Sequence, residues 1–212
     1  DAATMVHELQ PGPAEGKDAW VDNRSRDNKR NRNFGSHHRL VTGHADVSNN
    51  NHVYGLIAFD LATLPEEDLL SAKLWLYLGD EGAATATNVR LHPITQAWSE
   101  STVKWTHKPA TASSPVDQQI VASQFQWYTW DLTNLYRDWK TGNAANHGVA
   151  LISDHNSNGE AHAFWSSDYT TDPALRPKLE VTTLAQAVPV PLAAAMGWAG
   201  LTVFVIRRKR RP

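Results

Sequence analysis

The sequence predicts an all-β fold, an antiparallel jelly-roll-like β-sandwich with one short helix, followed by a C-terminal single transmembrane helix. Three observations support this prediction. Roughly nine or ten short segments alternate apolar and polar residues between turn signals. One stretch near residue 135 has helical spacing, and one long uncharged apolar run lies near the C-terminus.

Composition bounds the function. The chain has 212 residues, of which 41% are hydrophobic, enough for the core of one domain. The formal net charge is -2, so bulk charge selects no partner. The absence of cysteine excludes disulfides, thiolate metal sites and a cysteine nucleophile. Nine tryptophans exceed what such a core needs and indicate an interaction surface.

The predicted domain organisation has three parts. Residues 1–17 form a flexible N-terminal arm, 18–184 the sandwich, and 185–212 a linker, a transmembrane helix (188–206) and a basic cytoplasmic tail. The chain begins with Asp1 rather than Met, from which we expect a processed N-terminus.

The C-terminal span runs from Val188 through Trp198 to Ile206 without a charge. As a helix it would be ~28 Å long, close to the roughly 30 Å of a bilayer core. The basic residues that follow, Arg207, Arg208 and Lys209, predict a cytoplasmic C-terminus and a periplasmic or extracellular sandwich. Because the span would cross a bilayer, lipid is one expected partner. The alternative is that this segment is a buried core helix.

The central stretch of the sandwich runs from Trp127 to Ser153. Residues 127–131 alternate as a strand, and Thr133 is expected to cap a short helix. Gly142 is expected to end that helix because glycine tolerates a left-handed backbone. On one side of the helix, where they would close one end of the core, lie Leu135, Tyr136 and Trp139.

Other strands follow from alternation. Residues 53–60 are apolar on both faces, as in a central strand, and residues 72–78 place leucines on one face only. Pro93 predicts that the strand at 88–95 is an edge or carries a bulge. Asn158-Gly159 predicts a hairpin joining strands at 149–152 and 161–166.

Seven motifs carry a family resemblance: NFG (33–35), GLIAFDLATLP (55–65), SAKLWLYL (71–78), AWSESTVKW (97–105), WDLTNLYRDWKTG (130–142), NHGVAL (146–151) and RPKLEVT (176–182). In this order they resemble DNRLRE-type domains, carbohydrate-binding modules found beside polysaccharide lyases and on bacterial and archaeal surface proteins. The resemblance implies a β-sandwich jelly roll that binds acidic polysaccharide. Ala58 differs from the arginine common in relatives. The tail resembles a bacterial PEP-CTERM sorting signal.

Two surfaces are candidate binding sites. We refer to the loop at 23–33 as the basic loop. It is expected to be an anion-binding patch for a uronic-acid polymer, lipid headgroups or an acidic protein. The alternative is that it is only a solvated loop. A stripe opposite the leucines of 72–78 is expected to stack on sugar rings or a protein, unless the fold buries it. The residues are Arg24, Arg26, Lys29, Arg30 and Arg32 in the loop, and Lys73, Trp75 and Tyr77 in the stripe.

One group of oxygen-bearing residues predicts calcium as a possible cofactor. Its oxygen ligands would come from Asp154, Asn156, Asn158 and Glu160. The alternative is that these residues only build the Asn-Gly turn. No zinc spacing or nucleophile elbow occurs, and Glu100 is expected to have no paired carboxylate and to serve a capping or turn role.

The sequence therefore predicts a non-catalytic, membrane-anchored domain that binds envelope polysaccharide. The alternative is an accessory subunit of a larger membrane protein complex, docked by its helix and its sandwich. Nucleic acid is not an expected partner, because no stacking aromatics interleave the cations of the basic loop.

Overall fold

A computed structural model describes residues 3–46, 51–66, 68–82, 86–154 and 161–185. These ranges contain antiparallel strands and one α-helix, α1, at Thr133–Lys140. The strands are β1 (Thr4–Leu9), β2 (Lys17–Asp22), β3 (Arg39–Asp46), β4 (Asn51–Ala58), β5 (Leu69–Gly82), β6 (Thr87–Pro93), β7 (Asp117–Val121), β8 (Gln126–Asp131), β9 (Val149–Ser153), β10 (Ala161–Trp165) and β11 (Lys178–Leu184). The predicted all-β antiparallel class with one short helix is confirmed.

The strands form one hydrogen-bonded sheet that folds over on itself. Its order is β1-β11-β5-β10-β3-β4-β9-β6-β7, with β2 added to β4 and β8 added to β5. Side chains of β5 and β8 pack against those of β6 and β9, which lie far along this order. The sheet is thus a two-layered sandwich. Layer A holds β1, β11, β5 and β8, and layer B holds β2, β4, β9, β6 and β7. In the strand order β10 and β3 lie between the two layers.

The core lies between the layers. Leu74, Leu76 and Leu78 alternate inward from β5, as the sequence predicts, and all three are fully buried. Across the layers, Trp130 donates its indole N–H to the carbonyl of Val89 at 3.1 Å. Burying these large side chains is the main stabilising contribution.

Helix α1 closes one end of the core. Leu135 and Tyr136 are buried, and Trp139 packs partly buried against them. The predicted cap is wrong: the Thr133 hydroxyl accepts from the amide of Ala72 at 3.0 Å, and the Asp131 carboxylate instead accepts from the amide of Thr133 at 2.7 Å. The N-cap residue is Leu132, and no side chain caps the helix. Gly142 ends the helix region with φ +75°, as predicted.

The two outer faces of the sandwich differ. On layer B the segment 94–111 covers the sheet, and Ile94 and Val103 pack there on Leu56. Trp98 and Trp105 join this outer cluster partly buried. On layer A, every outward side chain of residues 73–77 and 127–131 is at least partly exposed. The outer face of layer A is therefore the less covered of the two.

Three expectations about the strands are wrong. Thr4–Leu9 lies within the predicted arm but pairs with β11, because an edge strand needs only one partner and little burial. Strands β9 and β10 form no hairpin, since β9 pairs with β4 and β6 while β10 pairs with β3 and β5. Strand β6 is paired on both sides, and Pro93 is tolerated because it is the last residue.

In the described ranges no helix has the length and apolar character needed to cross a bilayer. The predicted span at 188–206, with Val188, Trp198, Ile206 and the cations after it, lies outside the described residues.

Candidate functional site

Three aromatic side chains form a continuous patch on the open face of layer A. Trp75 and Tyr77 point outward from β5 because the leucines between them point inward. Trp127 on β8 lies directly opposite Tyr77, with ring centroids 5.4 Å apart and planes at 76°. We refer to Trp75, Tyr77 and Trp127 as the aromatic platform.

Lys178 of β11 completes the platform. Its backbone pairs with Trp75, and its ammonium group lies 5.7 Å from the Trp75 ring centroid and 5.4 Å from that of Trp127. The same ammonium group forms an ion pair with Glu8 at 2.8 Å. Held over two indole rings, the lysine fixes their spacing and adds a hydrogen-bond donor at the edge of the platform.

One row further along the sheet the outward residues are charged. Lys73 lies opposite Asp131 on one side and Glu180 on the other, and Glu180 lies opposite Glu8. Because each lysine of this face has carboxylates beside it, the face is not strongly cationic. It combines flat apolar rings with hydrogen-bonding side chains, the arrangement that holds amphipathic rings in place.

The basic loop lies on the other side of the molecule, with layer B. Its first cation, Arg24, binds the fully buried Asp22 carboxylate through Nη2 at 2.6 Å and Nε at 2.8 Å. The amide of Arg24 also donates to Asp22 at 2.9 Å. Arg24 therefore has a structural role, because without it Asp22 would be a buried unpaired charge.

The remaining cations of the loop are more accessible. The side chain of Arg26 is 91% exposed, and Arg32 packs over the Phe34 ring at 5.4 Å. Lys29 and Arg30 belong to the 3-10 segment Arg26–Asn31, which contacts a second short turn at Trp105–His107. The hydroxyl of Thr106 in that turn donates to Asn31 at 3.2 Å.

The second turn brings further cations beside the loop. Lys104 and Lys108 flank it, and the Lys108 ammonium group lies 5.2 Å from the Trp105 ring. The structure thus extends the predicted anion-binding patch with two lysines. It does not join that patch to the aromatic platform, since the two lie on different layers.

A carboxylate cluster ties three segments together. Oxygen atoms of Asp18, Glu100 and Asp168 lie within 4.8 Å of one another. Glu100 accepts from the amide of Asp18 at 2.8 Å, and Asp18 accepts from the amide of Ser167 at 2.9 Å. The expectation that Glu100 has no paired carboxylate is wrong, because its partners are distant in sequence. Its carboxylate binds the backbone of β2.

Burial raises the pKa of Asp18 to about 7, and the charges of Glu100 and Asp168 act in the same direction. Burial also raises the pKa values of Glu100 and Asp168, although Lys17 partly offsets the first and Arg176 the second. Asp18 is only 2% exposed, so no large substrate reaches it. The cluster therefore joins a buried carboxyl group of β2 to two partly exposed carboxyl groups from separate segments.

Of the four predicted calcium ligands, the structure describes Asp154. Asp154 accepts from Arg90 at 2.9 Å and from Asn88 at 3.2 Å through the same oxygen. Asn156, Asn158 and Glu160 lie outside the described residues. The calcium site stays a prediction.

The architecture and the platform define a class of protein: a β-sandwich binding module with one face left open. A family model confirms this class, matching residues 13–183 as carbohydrate-binding module family 96. The chain belongs to that family, whose members are non-catalytic binding modules. A search of curated proteins gives no match.

Sequence reasoning found part of the platform and missed the rest. Trp75 and Tyr77 follow from alternation with the leucines of β5. Trp127 had the same signal, since it alternates with the buried Tyr128 and Trp130. Lys178 had none, because only the pairing of β11 with β5 brings it to the platform.

Proposed function

We propose that this protein is a membrane-anchored module that binds acidic polysaccharide at the cell envelope. The observation that carries the proposal is the aromatic platform. Its side chains lie partly exposed on the outer face of layer A, whereas Trp98 and Trp105 belong to the segment 94–111 and pack against the outer cluster of layer B. Pyranose rings present apolar C–H faces, which stack on indole and phenol rings with favourable dispersion and little loss of side-chain entropy.

The acidic preference rests mainly on the basic loop, because Lys73 and Lys178 have carboxylates beside them. At the platform a uronate carboxylate would replace Glu8 as the partner of Lys178. The basic loop with Lys104 and Lys108 offers a second contact to a long anionic chain on the other layer. Contacts of this kind strengthen binding mainly at low ionic strength.

The anchor is the predicted span at 188–206. It would hold the module at the membrane surface, where even weak sugar binding gains from the high local density of sites. A millimolar dissociation constant corresponds to ~4 kcal/mol of binding free energy per site. Avidity among modules anchored in the same membrane would raise the effective affinity.

The test uses the full chain purified in mild detergent. Electrophoresis through gels containing alginate, an acidic uronate polymer, or hydroxyethyl cellulose, a neutral polymer, should show retardation that is stronger in alginate. Mass photometry of the same sample should show single chains. A fixed stoichiometric assembly that migrates alike in all gels would instead favour the accessory-subunit alternative.

A further inference from the structure

Phe125 occupies an irregular position at the β8 end of the platform, two residues before Trp127. Its amide donates to the carbonyl of Leu78 at 2.8 Å, and the next residue, Gln126, is the register partner of the same Leu78. Phe125 is thus hydrogen-bonded to the end of the strand pair although it precedes the first residue of β8, in the turn that leads into this strand.

The backbone of Phe125 is unfavourable for its side chain. Its φ is +58°, in the left-handed region, which glycine adopts without steric cost. The other described non-glycine residues with positive φ, namely Asp27, Asn28 and Asp68, are types that tolerate it. Phenylalanine does not, because its Cβ meets the neighbouring carbonyl.

Burial does not compensate for this strain. The Phe125 side chain is 63% exposed, so its ring contributes little to the core. An aspartate, asparagine or glycine would serve the fold better at this position. The presence of an exposed aromatic ring in a strained conformation points to a role outside the fold.

The turn that carries Phe125 is held rigidly. The hydroxyl of the buried Tyr128 lies 3.0 Å from the amide of Ala122, 2.8 Å from that of Ser123 and 2.6 Å from the side-chain nitrogen of Gln126. The same hydroxyl donates to the carbonyl of Ser123 at 2.9 Å. One hydroxyl thus fixes both sides of the turn, and a ring presented this way loses little entropy when a ligand packs on it.

We propose that Phe125 is a ligand-contacting residue that extends the aromatic platform and packs against the apolar face of one more sugar ring. The inference rests on the proposed function. It adds a length requirement: the three platform rings serve short glycans, and Phe125 contacts only glycans long enough to pass the end of β8. Tyr128 is then a positioning residue, acting through the turn.

The test compares Phe125→Gly with Ile120→Ala in the full chain in mild detergent. Ile120 is 64% exposed on β7, outside the platform, and is the matched control. Isothermal titration uses di- to octasaccharides of alginate and, in parallel, cello-oligosaccharides. Thermal unfolding of each variant is measured alongside.

For Phe125→Gly we expect an unchanged or higher Tm, because the strain is relieved. Affinity for hexa- and octasaccharides should fall about three- to tenfold, the range given by one aromatic contact. Affinity for disaccharides should change by less than about twofold, within the error of such comparisons. Ile120→Ala should match the parent, and Tyr128→Phe should lower affinity for the long glycans only.

If Phe125→Gly binds long glycans as tightly as the parent while Trp75→Ala has lost binding, the inference about Phe125 is wrong and the platform stands. An equal loss for short and long glycans would overturn the length requirement. If the parent binds neither sugar series, the proposed function and the role of Phe125 both fall.

Discussion

The carboxylate cluster of Asp18, Glu100 and Asp168 makes the stability of the protein depend on pH in an unusual direction. Most acidic groups have a lower pKa in the folded state, so that folding is favoured as pH rises. Here burial raises the pKa of Asp18 from 3.8 to about 7. The folded protein therefore holds a proton that the unfolded chain has already released between about pH 4 and pH 7.

The sign follows from proton counting. In this window the folded state binds more protons than the unfolded state, so the free energy of unfolding falls as pH rises. The contribution of Asp18 is fully present below about pH 4 and is lost by about pH 7 to 8. Its loss is at most about 1.4 kcal/mol per pH unit, or about 4 kcal/mol in total. The raised pKa values of Glu100 and Asp168 act in the same sense.

The perturbation is Asp18→Asn, which keeps the size of the side chain and an oxygen that can accept from the Ser167 amide. Urea unfolding at a series of pH values from about 4 to 8 gives the free energy of unfolding of both proteins. At pH 4 the two should agree within about 1 kcal/mol. Near pH 8 the variant should be more stable by about 2 to 4 kcal/mol.

The difference between the two curves isolates Asp18 from the other titrating groups. Lys17 and Arg176 are the cations that act on its neighbours, and both are present in the two proteins. Parallel curves, or a parent that becomes more stable than the variant as pH rises, would refute the argument that burial raises this pKa.

Three further outcomes are expected. Arg24→Ala should lower the free energy of unfolding, measured in urea, by about 3 to 5 kcal/mol, because it removes the arginine that pairs with the buried Asp22. The control Arg26→Ala should change it by less than about 0.5 kcal/mol. Equal effects of the two substitutions would contradict the structural role of Arg24. Trp130→Phe removes the hydrogen bond to Val89 and part of a buried ring, and it should lower the free energy of unfolding in urea by about 2 to 4 kcal/mol. A decrease below about 1 kcal/mol would contradict the place of Trp130 in the core. A triple variant in which Arg26, Arg30 and Lys108 are replaced by alanine should bind alginate more weakly than the parent at low salt and equally well at high salt. An unchanged salt dependence in affinity gels would show that these cations do not contribute to binding.

Local periodicity predicted most of the strands, because alternation reports which face is buried. The leucines of β5 alternate regularly, and the same alternation places Trp75 and Tyr77 outward. Features that depend on pairing between distant strands were not predictable in this way. Strand β1 carries no strong alternation, and its place follows only from its register with β11.

The same distinction explains the remaining errors. An Asn-Gly pair predicts a turn, but which strands pair on either side of it is decided by the whole sheet. Thr133 does not cap the helix, because its hydroxyl accepts from the Ala72 amide of β5. The carboxylate cluster joins residues from three separate segments, and no spacing in the sequence signals it.

The most direct test of the central claim is glycan binding by a platform double variant, Trp75→Ala with Trp127→Ala. These two rings are contacted by the same Lys178, so their removal eliminates the sugar-stacking surface while the fully buried leucines of β5 stay in place. Isothermal titration of the folded full chain with alginate oligosaccharides should show an affinity loss of at least about tenfold relative to the parent and to Ile120→Ala. Affinity equal to that of the parent would contradict the claim that the open aromatic face binds polysaccharide.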